Sequence, residues 1–146
     1  MRTYQLYLIE DEFAAHYFGR ERMFFQLFQE HEKANGELKF ITKKQINYIT
    51  KTVEVLKIHQ LIQKQLGKIK GFIAEHGTYS IELSGKLSTA KLEVFQEYIT
   101  VVASGSYEAE TAFFEVLRKC ETSFLAIDFE HQRFGWLKPI KERKFV

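Results

Sequence analysis

The chain has 146 residues, of which 45% are hydrophobic and 27% charged, a profile typical of one folded globular domain and unlike that of a disordered chain. Twenty-one lysines and arginines against 19 acids give a net charge of +2, too small to predict nucleic-acid or membrane binding from bulk charge. Cys120 is the single cysteine, which excludes an internal disulfide. We therefore predict a single domain over residues 1–146.

Charged residues appear within the first dozen positions, MRTYQLYLIEDE, and no stretch approaches the length of a membrane span. We expect a cytoplasmic protein.

Residues 3–9, TYQLYLI, are aromatic and aliphatic and predict a strand. Residues 11–34 then indicate helix, with Asp11 placed to cap its start. Gly19 lies inside this segment and is positioned to end a short first helix.

The opening helical segment carries more aromatic side chains than one buried stripe holds. On a helical projection they form two groups that together span nearly half the cylinder. The groups are Phe13, Tyr17, Phe24 and Phe28, and then Phe18 and Phe25. Two interpretations remain open: all the rings are core, or one flank forms an exposed patch for a protein partner.

Asn35-Gly36 predicts a turn, and Thr42 is the expected cap of a short helix over KKQINYIT. On that helix Gln45 and Tyr48 share the side opposite its two isoleucines. This side of the helix could form the rim of a protein-binding surface, or Tyr48 could simply pack flat on the surface of the protein. A longer helix is predicted over residues 53–70, because its apolar positions recur at helical spacing.

The second half of the chain changes to the period of strands. TYSIELS alternates strictly, and AKLEVF and YITVVA flank Gln96-Glu97 as a hairpin. Ser106 is the expected cap of the helix YEAETAFFEVLRKC. A second hairpin, FLAIDFEHQRFGWL, precedes Pro139 and the basic tail KERKFV. These elements predict an α+β fold, with a single mostly antiparallel sheet of about five or six strands and helices packed on it.

Motifs for catalysis or metal binding are missing from the sequence. The five histidines form no H-E-x-x-H pair and stand at no zinc spacing with Cys120. Cys120 falls on the apolar side of its helix, where a core role is expected. Asp128 lies in a predicted strand and is free to face solvent. We expect no enzyme activity, cofactor, metal, small-molecule substrate or direct nucleic-acid contact.

Four blocks of sequence together resemble the SirA family, the sporulation inhibitors of replication of spore-forming bacteria. The blocks are EFAAHYFGRE, QINYIT, VASGSYEAETAFFEVLRKC and FGWLKPIKERKFV. The resemblance is weak between about residues 67 and 96. It implies a non-catalytic protein that binds the N-terminal domain of the initiator DnaA and blocks new rounds of replication at the origin.

The family's binding residues, carried over to matching positions, imply that Phe13, Tyr17, Gln45 and Tyr48 contact the initiator. These lie in the two blocks already set apart by their aromatic side chains. The implied mechanism is steric: the rings occupy an apolar hollow of the initiator domain and prevent productive assembly. Two alternatives are a DNA-binding regulator that uses the basic tail and an enzyme that acts through Cys120.

Overall fold

One antiparallel sheet organises the part of the chain that the computed structural model describes, residues 1–85 and 87–138. Its strands are β1 (Arg2–Leu8), β2 (Phe72–Glu75), β3 (Thr78–Leu83), β4 (Ser88–Val94), β5 (Ile99–Gly105), β6 (Phe124–Asp128) and β7 (Arg133–Trp136). The helices are α1 (Asp11–His16), α2 (Arg22–Lys33), α3 (Gly36–Ile49), α4 (Val55–Leu66) and α5 (Glu108–Cys120). The strand order is β2-β3-β4-β5-β1-β6-β7.

The predicted α+β class and antiparallel sheet are confirmed, with seven strands in the described residues where five or six were expected. The additional strand is β2, which pairs with β3 at the sheet's edge. Only one of its four side chains, Phe72, is even half-buried, so it lacks the alternation that identifies a strand. Strand β3 has that alternation, and its Tyr79 and Ile81 are buried.

Both predicted hairpins are present. Strands β4 and β5 pair from Ser88↔Gly105 to Val94↔Ile99, and a backbone bond from Phe95 to Tyr98 closes the turn around Gln96-Glu97. Strands β6 and β7 pair over Leu125↔Trp136 to Asp128↔Arg133.

The sheet separates two hydrophobic cores. Helices α4 and α5 cover one face over β3, β4 and β5, while α1, α2 and α3 cover the other face near β1 and β6. Strand β1 contributes to both: Leu6 and Leu8 lie in the first core, and Tyr7 lies in the second together with Ile9, which directly follows the strand. The central position of β1 explains why its sequence is apolar on both faces.

The prediction of a short helix that begins after Thr42 is wrong, because α3 already begins at Gly36. Gly36 has a φ of +59°, the left-handed conformation that glycine adopts without strain. Thr42 lies inside the helix and is buried. Its hydroxyl is within hydrogen-bond distance of the Leu38 carbonyl and of Nδ1 of His31, so α2 and α3 are joined there.

The two predicted helix caps are also wrong. Helix α5 begins after Tyr107, and its capping oxygen comes from Ser88 of β4, which accepts a bond from the Ala109 N–H at 2.9 Å. Asp11 is the first residue of α1, and its carboxylate accepts a bond from the Ser123 hydroxyl at 2.6 Å. Partners this far apart in sequence leave no local signal.

Asp128 does not face solvent as predicted; its side chain is buried. Burial opposes ionisation of its carboxylate. Hydrogen bonds from the Arg133 side chain and from the backbone and side chain of His131 outweigh that cost, and they lower the pKa of Asp128.

Helix α4 is shorter than predicted, ending at Leu66. Pro139 and the basic tail lie outside the described residues.

Candidate functional site

The aromatic opening segment is two helices with a break between them. Helix α1 ends at His16, Gly19 has a φ of +82°, and α2 begins at Arg22, as the glycine predicted. The projection onto one continuous helix therefore fails beyond Gly19. Three rings of α2, Phe24, Phe25 and Phe28, are buried in the core.

A concave surface of about 610 Å³, here called the aromatic hollow, opens between α1, α2 and α3. Its lining is mostly apolar and consists of Phe13, Tyr17, Met23, Phe24, Leu27, Lys44, Gln45, Tyr48 and Ile49. All four residues that the sequence predicts for partner binding are among them. Their two stretches are separated by about thirty residues in the chain, and the α2–α3 pair brings them together.

Phe13 and Tyr48 form one wall of the hollow. Their ring centroids are 5.3 Å apart, a spacing typical of packed aromatic pairs. Phe13 is half-buried, whereas Tyr48 is 74% exposed and Gln45 beside it is also exposed. Ile46, on the opposite side of α3, is buried as predicted, so Gln45 and Tyr48 do share the outer side.

Tyr17 forms the opposite side of the hollow and rests on a buried ring. Its ring meets that of Phe24 edge-on, with 5.5 Å between the centroids. The Arg20 guanidinium lies 5.3 Å from the centroid of the Tyr17 ring. Tyr17 is half-buried, so part of its ring packs on the protein and part is exposed at the hollow.

Glu21 fastens the α1–α2 turn to the edge of the sheet. Its carboxylate accepts hydrogen bonds from the Gly19 N–H at 3.1 Å and from the indole N–H of Trp136 at 3.2 Å. Burial opposes ionisation of the carboxylate. These bonds, together with one from its own backbone N–H, outweigh that cost and lower the pKa of Glu21.

We predict that Glu21→Gln lowers the free energy of unfolding by about 1 kcal/mol at pH 7. Because the folded-state pKa of Glu21 is lowered, its contribution is complete above the unfolded-state pKa and is lost as pH falls through the folded-state value. Trp136 is the only tryptophan, so its fluorescence reports this titration. On acid titration, the wild-type Trp136 emission should change while circular dichroism still shows a folded protein. The emission of Glu21→Gln should not change over the same pH range. Glu12→Gln, at an exposed site of α1, is the control and should titrate like wild type. The prediction would be wrong if Glu21→Gln showed the same change of emission with pH as wild type.

The sequence did not identify Met23, Leu27, Lys44 and Ile49 as part of this surface. Met23 and Leu27 are separated by one helical turn on α2, so their spacing alone would have predicted that they share a face of that helix. The aromatic residues at neighbouring positions drew attention away from this pair. In the second group of rings, Phe25 stacks on Phe134 of β7 at 5.2 Å and belongs to the core, whereas Phe18 is 39% exposed.

The described structure gives less support to the other kinds of site that the sequence raised, such as a thiol nucleophile or a metal site. Burial raises the pKa of the Cys120 thiol, which disfavours the thiolate that a nucleophile requires. Within residues 1–85 and 87–138, no three His, Cys, Asp or Glu side chains are grouped to hold a metal ion. A polar cavity of about 480 Å³ lies on the other side of α3, where Lys43 forms an ion pair with Glu97. None of the helices described is both long and apolar enough to span a bilayer.

Comparison with known proteins gives a family for the chain. The sequence profile described as "Sporulation inhibitor of replication protein SirA" matches residues 2–141. A protein of that name from Bacillus subtilis (strain 168) is 46% identical over 150 residues, an alignment that covers 99% of both chains. The match spans both stretches that line the aromatic hollow. The chain belongs to the SirA family of sporulation inhibitors of replication.

Proposed function

We propose that this protein inhibits initiation of chromosome replication during sporulation by binding the N-terminal domain of DnaA through the aromatic hollow. The observation that carries the proposal is the convergence of Phe13, Tyr17, Gln45 and Tyr48 on one concave, mostly apolar surface. Family membership supports the inhibitory role. The proposal that DnaA is the partner rests on the family resemblance. Because the initiator acts on the chromosome, we also propose that this protein acts in the cytoplasm.

The exposed rings explain how the hollow binds a protein. Tyr48 stands out beside Phe13, and Tyr17 lies across the hollow on Phe24. A partner side chain that enters between these rings removes apolar area from water on both sides, which is the main source of affinity at such contacts. Gln45 adds a directional hydrogen bond at the rim.

The proposed inhibition is steric and needs no chemistry. A standard protein–protein interface buries about 1,600 Å² in total, more than the hollow alone offers, so the partner also covers its surroundings. An initiator domain covered over that area cannot make the contacts with which it recruits partners and assembles at the origin. Titration of DnaA with this protein should therefore reduce assembly on origin DNA in proportion to complex formed.

Tyr48→Ala tests this proposal directly, because the ring is 74% exposed and its loss leaves the core unchanged. We expect a dissociation constant for the DnaA N-terminal domain about 30-fold weaker, corresponding to about 2 kcal/mol. Isothermal titration calorimetry measures it. Tyr107→Ala, at another exposed tyrosine before α5, is the matched control and should bind like wild type.

Two results would contradict the proposal. One is equal affinity of wild type and Tyr48→Ala for the domain, or no binding by either. The other is tight, salt-sensitive binding of origin DNA by this protein without DnaA, which would instead support the regulator that uses the basic tail.

A further inference from the structure

We infer that His31 positions the walls of the aromatic hollow, and that a proton gained by its imidazole ring alters the hollow and weakens binding of the partner. His31 lies in the last turn of α2 and contacts α3 at Thr42, and neither residue lines the hollow. This inference rests on the proposed function and adds a regulation to it.

Two hydrogen bonds join His31 to α3. Nδ1 of its ring lies 2.8 Å from the hydroxyl oxygen of Thr42, and the ammonium of Lys39 donates to its backbone carbonyl at 3.1 Å. Thr42 is 1% exposed, and its hydroxyl donates to the Leu38 carbonyl at 3.1 Å. Because a hydroxyl has only one proton, Nδ1 of His31 is then the donor to Thr42. A neutral imidazole with its proton on Nδ1 therefore satisfies this buried contact without a positive charge.

Thr42 lies at one end of a row of side chains that reaches the hollow. Thr42, Ile46 and Ile49 are separated by four and three positions, so they share one side of α3. Ile46 is buried in the core, and Ile49 lines the hollow. On α2, His31 follows the lining residue Leu27 by one helical turn. The contact at His31 therefore holds together the two helices whose side chains face each other across the hollow.

The surroundings of the His31 ring oppose a positive charge on it. The half-buried ring lines the polar cavity of about 480 Å³ on the inner side of α3. Lys39 and Lys43 of α3 bring positive charge to it, while Glu32 of α2 and Glu97 after β4 bring negative charge. Burial and the two lysines outweigh the two glutamates, so the pKa of His31 is lowered. The other titratable side chains that line this cavity are Tyr7, Lys51 and Tyr98.

The lowered pKa fixes the direction of the pH effect. The stabilising contribution of neutral His31 is complete above the ordinary imidazole pKa of about 6.5 and is lost as pH falls from there through the folded-state value. An imidazolium is more stable in water, away from the ammonium groups of Lys39 and Lys43. Mild acid therefore favours movement of the end of α2 away from α3, and this movement displaces the walls of the hollow.

The first test measures binding of the full-length protein to the DnaA N-terminal domain by calorimetry at about pH 7.5 and about pH 5.5, on either side of the ordinary imidazole pKa. His31→Asn keeps a nitrogen near the position of Nδ1 but does not titrate. Titrations of the DnaA domain itself are common to all variants, so differences between variants isolate the histidine. We expect the loss of affinity at the lower pH to be about fivefold larger for wild type than for His31→Asn.

Two other histidines serve as controls. His76→Asn changes a side chain that is 92% exposed in the turn between β2 and β3, where its φ of +51° suits asparagine, and should keep the wild-type pH dependence. His16→Asn removes the imidazole that packs edge-on against Tyr17 of the hollow. It should also keep the pH dependence, because we assign this dependence to His31.

The second test uses NMR on the free wild-type protein. It follows the His31 ring and the backbone amides of Leu27 and Ile49, which line the hollow, over the same pH range. We expect the ring to titrate below about 6.5 and the two amides to shift with the same midpoint. This measurement needs neither the partner nor a variant, so it decides the inference even if His31→Asn folds poorly.

The outcomes separate this inference from the proposed function. If the amides do not follow the His31 ring, or if His16→Asn rather than His31→Asn removes the pH dependence, the inference is wrong. Weak binding by Tyr48→Ala would still support the proposed function in that case. If wild type does not bind the domain at either pH, the proposed function is wrong, and the amide shifts of the free protein alone decide whether His31 positions the hollow.

Discussion

Replacing Tyr17 by alanine is expected to weaken binding to the DnaA N-terminal domain by about a hundredfold or more, corresponding to about 2.7 kcal/mol. The half-buried ring meets the buried Phe24 edge-on, and its exposed part lines the hollow. A partner that fills the hollow encloses the remaining side, so the ring becomes fully buried only in the complex. Aromatic side chains that are enclosed in this way give the largest losses on truncation.

The fold should survive the change because Tyr17 follows the last residue of α1 and its ring lies outside Phe24. We expect a loss of about 1 kcal/mol in the free energy of unfolding, as for a half-buried side chain. Urea denaturation and circular dichroism measure it alongside calorimetric binding. Tyr17→Phe keeps the ring without its hydroxyl and is the control; it should retain most of the affinity.

Phe13→Ala should behave in the same way, since Phe13 is also half-buried and packs on the exposed Tyr48. Unfolding of either variant would mean that its ring is a core residue and would remove that position from the binding surface. A variant that stays folded and binds like wild type would leave the proposed interface without its main anchors.

The four predicted site residues came from the family resemblance, and local spacing alone had left open whether the rings lie in the core or on the surface. Tyr48 and Gln45 fall opposite Ile46 on α3, and this remains true although α3 begins seven residues earlier than predicted. Periodicity within one helix does not depend on where the helix begins. The remaining lining, such as Met23 and Leu27, depends on how α2 packs against α3, which one-dimensional spacing does not contain.

The two wrong helix caps share a physical cause. Ser88 caps α5 across 21 residues of chain, and Asp11 binds Ser123 across 112 residues. Both polar groups are satisfied by partners that only the folded sheet brings near. Asp128 differs, because its partners His131 and Arg133 lie in the same hairpin, where the turn places them on its carboxylate. Hairpins and alternating strands, in contrast, arise from neighbouring residues, and these were predicted correctly.

Phe28→Ala is expected to have the largest effect on stability, lowering the free energy of unfolding by about 3–5 kcal/mol. Phe28 is 1% exposed, and its ring stacks on Tyr7 of β1 with 4.0 Å between the centroids. Truncation leaves a cavity between α2 and the sheet, directly within the core that supports Phe24 and the hollow. Urea denaturation followed by circular dichroism measures the loss.

Phe40→Ala is the matched control, because this phenylalanine is exposed on the neighbouring helix α3 and contacts the ammonium of Lys44 at 4.6 Å from its ring centroid. We expect a change within about 0.5 kcal/mol. The comparison separates a buried aromatic residue, which holds α2 to the sheet, from an exposed one on the neighbouring helix, which does not. A loss below about 1 kcal/mol for Phe28→Ala would show that the second core is dispensable, and the hollow would then need another support.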